Sequence, residues 1–322
     1  MLPRHHQAMF PVVRAVPDGA GSSAADHHRF GSEALQVAVT ADGAELLSLR
    51  RTADGREMLW QAGPAWPRRA PVLFPIVGRL PKDTLRVDGR TFPMTQHGFA
   101  RDRRFRFTHR DETGCTLELR DDEDTRKHFP FPFRLEITYL AENNGVRVEY
   151  ALHNPGDAVL PASLGAHPAF SWPLAPGTAP DAHRLVFERD EPDPIRRVRG
   201  GLLRPDGERT PVHDRVLDLD PALFDDDAVI LDRVRSGSVR FEVPGGAEWL
   251  RVSWHGMTQL GIWTKPGGPA AGAGFLCIEP WAGLSTPENF EGEFRNKPHL
   301  LHVAPGNSVR LGWAVELSAP GA

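Results

Sequence analysis

The chain has 322 residues, and its 31 glycines and 30 prolines make up about one residue in five, well above average usage of about 12%. Glycine and proline at that level exclude a long helical bundle, while a 40% hydrophobic share with 8 Trp and 17 Phe excludes disorder throughout. A net charge of -4 with no basic stripe argues against a nucleic-acid partner, and no apolar stretch approaches the ~20 residues of a membrane span.

Residues 1–30 read as a flexible, polar tail, marked by Pro17-Asp18-Gly19 and Gly21-Ser22-Ser23. The His5-His6 and His27-His28 pairs are expected to have no role there. The apolar patch from Met9 to Val13 is too short for a signal peptide, so a cytoplasmic protein is expected.

From Ser32 onward, turn signals recur between alternating runs. Phe105-Arg106-Phe107, Cys115 to Leu119, Val239 to Val243 and Trp249 to Trp254 alternate with period two, which puts one side of each strand in a core and the other toward water. Phe133–Leu140 and Val146–Leu152 flank Asn143-Asn144-Gly145 and predict a hairpin. Val72 to Val77 and Phe275 to Ile278 are apolar on both sides and predict strands buried on both faces. The stretch Asp121 to His128 is acidic at its start and stops before Pro130, which predicts one short helix. Cys115 and Cys277 lie in strand-like runs and form no metal or disulfide motif, so both are expected to be buried free thiols. The expected architecture is all-β: one large antiparallel β-sandwich domain over residues 31–322 with one or two short helices.

Polar residues inside apolar runs are costly unless something pairs with them. Four places show this pattern. Arg79 ends Phe74-Pro75-Ile76-Val77-Gly78-Arg79, and His97 and Arg101 lie in Gln96-His97-Gly98-Phe99-Ala100-Arg101-Asp102. His167 interrupts Leu164 to Phe170, and Glu279 follows four apolar residues and precedes Pro280-Trp281. Phe74, Phe99, Phe170, Trp172 and Trp281 lie beside these places. Aromatic faces next to a few fixed polar groups suit a sugar cleft.

These four stretches, in this order and spacing, resemble the aldose 1-epimerase (galactose mutarotase-like) superfamily. The similarity is greatest to its shorter bacterial branch, encoded in some lactose operons, and covers about residue 32 to the end. The resemblance implies a β-supersandwich fold with one sugar cleft. It implies an isomerase, a mutarotase that interconverts α and β anomers without metal or organic cofactor. By that resemblance Glu279 is the general base, His167 the general acid, and His97 polarises the ring oxygen. Arg79 holds a sugar hydroxyl, and Asp227, or Asp226 beside it, supplies a late-loop carboxylate. Arg101 and Trp281 are further candidates for sugar contact.

Two proton transfers are needed: one from the C1 hydroxyl, one to the ring oxygen. Burial would raise Glu279 toward neutrality, which suits a pair working near pH 7 and predicts a bell-shaped pH profile. The chain lacks the asparagine-arginine pair that follows the Gly-Arg motif in the larger galactose mutarotases, having Leu80-Pro81-Lys82-Asp83 instead. The His-Gly-Phe-Ala-Arg stretch also resembles hexose-6-phosphate mutarotases, in which case Arg101, Arg103 and Arg104 would meet a phosphate. The sequence is also compatible with a non-catalytic carbohydrate-binding protein of the same fold and with a polysaccharide-processing sandwich. The expected partner is a small-molecule sugar, bound by a monomer or homodimer.

Overall fold

The alternating runs become strands of the larger of two main antiparallel sheets in the computed structural model, which describes residues 26–319. The larger sheet has nine strands. In spatial order they are Val216–Asp218, Arg184–Phe187, Ser238–Glu242, Trp249–His255, Ser308–Leu317, Gly145–His153, Arg134–Glu142, Gly114–Arg120 and Arg106–Arg110. The expected hairpin supplies its sixth and seventh strands: Arg134–Glu142 pairs with Gly145–His153, and Asn143 takes the left-handed conformation (φ 45°) in the tight turn between them. Leu135, Ile137, Tyr139, Val146, Val148, Tyr150 and Leu152 all turn inward. Burying each such side chain contributes about 1.5–3 kcal/mol.

The second sheet holds Val229–Leu231, Gln259–Trp263, Phe275–Ala282, Leu164–Ala166 and Val72–Leu73 in that order. Ala169–Ser171 also pairs with Phe275–Ala282. Every residue of Phe275–Ala282 is buried, as expected for a run apolar on both sides. Its two faces have different neighbours. Leu276 and Ile278 join the main core with Leu117, Leu135 and Val148 of the nine-stranded sheet, so the two sheets pack face to face. Cys277 and Trp281 pack on the opposite face, in separate clusters. A three-stranded sheet, His27–Gly31, Leu35–Thr40 and Leu46–Arg51, is tied to the nine-stranded one by the Tyr139 hydroxyl donating to Ala44 O (2.7 Å). No helix among the described residues is long and apolar enough to cross a membrane.

Three expectations change. The helix expected over Asp121 to His128 is a single 3-10 turn at Thr125–Lys127. The Asp122 carboxylate accepts from Asp124 N–H and Thr125 N–H; this side-chain turn competes with a helical ladder, and Pro130 prevents extension. The run Val72 to Val77 is buried but forms a strand only at Val72–Leu73. A cis Phe74–Pro75 bond follows, and Phe74 O accepts from Phe99 N–H and Ala100 N–H (3.0 and 3.1 Å) instead of from a sheet neighbour. Of the tail expected over residues 1–30, residues 1–25, with His5 and His6, lie outside the described residues. His27 and His28 are in the first strand, paired with Thr40 and Val39. Cys115 and Cys277 are both free and buried.

Candidate active site

Period-two alternation on Phe275–Ala282 sends Cys277, Glu279 and Trp281 to one face. On one flank these residues meet Trp263, Gly261 and Gln259 of the neighbouring strand. On the other flank Gly165 pairs with Trp281 and Ala169 with Cys277. Carried across the gap between those two pairings, the register puts His167 opposite Glu279. The ladder breaks there because Pro168 has no N–H to give; its carbonyl still accepts from Ile278 N–H (3.3 Å). His167 Nε2 lies 3.2 Å from Glu279 Oε2, with the two residues 7% and 2% exposed.

Trp281 fits this floor because its neighbours lack side chains. A Cβ on Gly261 would stand 2.3 Å from the Trp281 ring, and one on Gly165 would stand 2.6 Å from it. Trp281 packs with Leu73, Val77, Ile230 and Leu284, so it is a buried floor and not a presented stacking face.

His97 arrives from the loop after the short strand Arg90–Pro93. It has φ 64°, an uncommon conformation for a non-glycine residue, and is held by its own backbone N–H donating to Gly78 O (2.7 Å). In return Gly78 N–H donates to His97 Nδ1 (3.1 Å). Both glycines are required by close approach. A Cβ on Gly78 would meet Ser285 Oγ at 1.7 Å, and one on Gly98 would meet Phe74 O at 2.2 Å. The His97 ring stands edge-on to His167, with centroids 5.7 Å apart and an 81° interplanar angle. Because Nδ1 accepts from the Gly78 N–H, the neutral ring carries its proton on Nε2, which lies 3.3 Å from the Gln96 side-chain amide.

Electrostatics favour neutral forms throughout. Burial pushes the Glu279 carboxyl well above its usual value; Asp227 adds to this and the indole N–H of Trp281 opposes it. Burial, followed by the charges of Arg101 and Arg68, pulls His167 down to about 3. His97 is lowered by burial, then by His167, Arg101 and Arg68. The resting pair is therefore a protonated Glu279 beside a neutral His167.

The structure separates the other expected residues. Asp227 is close enough to act on Glu279, whereas Asp226 turns away to Arg204 (2.6 Å). Arg101 is near enough for its charge to act on both histidines and donates to Gln96 O (2.6 Å). Arg103 turns instead to Asp124 (2.6 Å), and Arg104 to Asp26 and Asp42. Arg79 sits at a more open position with its fork on both oxygens of Asp83 (2.6 and 2.7 Å) and one further bond to Gly200 O.

Sequence reasoning missed the aromatic wall. Trp66 stacks on His167 with centroids 4.9 Å apart and a 26° interplanar angle, and Trp263 stands edge-on to His167 at 5.8 Å. Arg68 also reaches this region, paired with Asp102 (2.6 Å). The one available signal was a tryptophan between Pro64 and Pro67 in a loop otherwise free of large apolar residues. The site holds one possible metal-ligand set: donor atoms of His167, Cys277 and Glu279 all lie within 4.8 Å of one another.

Known proteins share this fold and sequence pattern. The aldose 1-epimerase family matches residues 26–301. The chromosomal Protein LacX of Lactococcus lactis subsp. lactis is 32% identical over 270 residues, covering 80% of this chain and 89% of that protein. A galactose mutarotase related enzyme from Lactobacillus acidophilus superposes with a TM-score of 0.84 at 28% identity, covering 91% of this chain and 97% of that one. A galactose mutarotase-like protein from Lactobacillus casei gives 0.82 at 28% identity, covering 90% and 99%.

Proposed function

The chain belongs to the aldose 1-epimerase family, and we propose that it is a mutarotase for a neutral aldose, with residues 31–322 as one catalytic unit. The observation that carries this reading is the 3.2 Å contact between His167 Nε2 and Glu279 Oε2 in a buried site. In a pyranose the anomeric hydroxyl and the ring oxygen are bonded to the same carbon. The groups that serve them must therefore be neighbours, and these two are.

At rest the pair holds one transferable proton, on Glu279. Passing it to His167 along the contact makes a carboxylate base and an imidazolium acid. Glu279 then takes the proton of the C1 hydroxyl while His167 protonates the ring oxygen. The C1–ring oxygen bond breaks, the C1 carbonyl forms, and the pair returns to its resting protonation. Rotation about C1–C2 and reversal of these steps closes the other anomer.

His97 donates from Nε2 to the ring oxygen region, fixed by the Gly78 N–H on its other nitrogen. Arg79, Asp227 and Arg101 contact sugar hydroxyls. Trp66 and Trp263 supply aromatic faces of the kind sugar C–H groups pack on. With Arg103 and Arg104 held by surface carboxylates, a phosphate would lack two of its three expected arginines, which favours a neutral sugar.

Polarimetry on freshly dissolved α-D-glucose and α-D-galactose, with glucose 6-phosphate followed by a coupled assay, tests the reading. Faster equilibration of a neutral aldose supports it. No acceleration of any sugar, or of the phosphate alone, contradicts it.

A further inference from the structure

Mutarotation leaves one donor on the site floor unused. Cys277 lies two residues before Glu279 on the same strand face and is fully buried. Its Sγ, a ring nitrogen of His167 and a carboxylate oxygen of Glu279 are mutually within 4.8 Å. Two of the buried polar atoms here lack a well-formed hydrogen bond to any described residue: His167 Nδ1, and Glu279 Oε2, which has the 3.2 Å approach of His167 Nε2. Buried donors and acceptors are normally satisfied, so this cluster has spare ligating capacity in a dry place.

Thiolate, imidazole and carboxylate are the three ligand types of four-coordinate zinc, and three protein ligands leave one position open. Bonds of ~2.0–2.3 Å in a tetrahedral site set ligand atoms about 3.3–3.7 Å apart. The widest pair allowed here, 4.8 Å, closes to that by roughly 1 Å of side-chain adjustment. The charges also balance. One divalent cation with a thiolate, a carboxylate and a neutral imidazole is neutral overall, which a buried site tolerates far better than a net charge. Binding releases the thiol proton and the carboxyl proton to solvent. The charges of Arg68 and Arg101, felt at His167, oppose a cation, so the site suits reversible occupancy and not a permanent structural metal.

We propose that His167, Cys277 and Glu279 form a binding site for a thiophilic divalent cation such as Zn2+ or Co2+, and that the bound ion excludes sugar by capturing the acid–base pair. The exclusion of sugar rests on the mutarotase reading; the metal site itself does not.

Titration of the purified full chain with Co2+, read by absorption, tests the site without an activity assay. The expected result is one equivalent of Co2+ with a sulfur-to-cobalt charge-transfer band and tetrahedral d–d bands, both displaced by Zn2+. Cys277→Ala should abolish the charge-transfer band and weaken binding at least ~10-fold. A pale octahedral spectrum without the sulfur band overturns the site, and because this readout uses the unmodified protein it does not depend on the variant folding. In the mutarotase assay, Zn2+ should inhibit the unmodified protein reversibly, and Cys277→Ala should stay active and resist Zn2+. Equal inhibition of that variant overturns the exclusion of sugar. A sulfur–cobalt band in a protein inactive on every sugar upholds the site and removes only the mutarotase reading.

Discussion

His167 and Glu279 face each other across a broken strand ladder, Nε2 to Oε2 at 3.2 Å, each pushed toward its neutral form by burial. In the proposed mechanism the working pair holds one proton. It is lost at low pH by protonating His167 and at high pH by ionising Glu279. With His167 at about 3, the acid limb of kcat/KM should fall at least about one unit below the ordinary histidine value of ~6.5. The alkaline limb should lie above the ordinary carboxylate value. A pH–rate profile with its acid limb at 6.5 or higher contradicts this.

Trp66 covers one face of His167, so it contributes to the burial that holds the imidazole neutral. Trp66→Ala should move the acid limb upward toward ~6.5 and slow turnover by about 10-fold, while Trp66→Phe should keep most of both. An acid limb unmoved in Trp66→Ala would remove Trp66 from this role.

Gly261 makes room for Trp281. Its Ala variant places a Cβ 2.3 Å from the ring, and overpacking of this kind costs about 1–3 kcal/mol. Urea unfolding should show that loss together with a changed tryptophan emission. Wild-type stability would mean that the indole yields without cost.

Lys297 is a buried cation whose ammonium donates to Leu284 O (2.6 Å), and burial lowers it to about 7. The unfolded chain keeps its lysine proton up to ~10.4. Stability should therefore rise with pH from about 7 to about 10, and be lost as pH falls through 7. Lys297→Met should be the more stable protein below about pH 7, by a few degrees in Tm, with the gap narrowing as pH rises. Thermal melts at about pH 6 and pH 9 check this; a gap that widens with pH contradicts it.

The buried His167–Glu279 contact was legible because each residue interrupts an apolar run, and such an interruption has a desolvation cost that needs a reason. The sandwich was legible for the same cause, since alternation reports which face is wet. What local sequence could not carry was tertiary. Trp66 and Arg68 reach the site from a proline-rich loop whose path is set by contacts to distant residues, such as the Arg68–Asp102 pair. Arg103 and Arg104 stand beside Arg101 in sequence, yet the backbone turn at Ala100–Asp102 sends them to surface carboxylates. The short helix failed because Asp122 caps its own neighbours into one turn.

In the proposed mechanism, Glu279 exchanges a proton with the anomeric hydroxyl. Glu279→Gln keeps the shape and removes the titrating group. Polarimetry on a freshly dissolved neutral aldose, with sugar affinity measured in parallel, should show sugar binding retained and the rate reduced at least ~100-fold. A near-wild-type rate in this variant would contradict the mechanism.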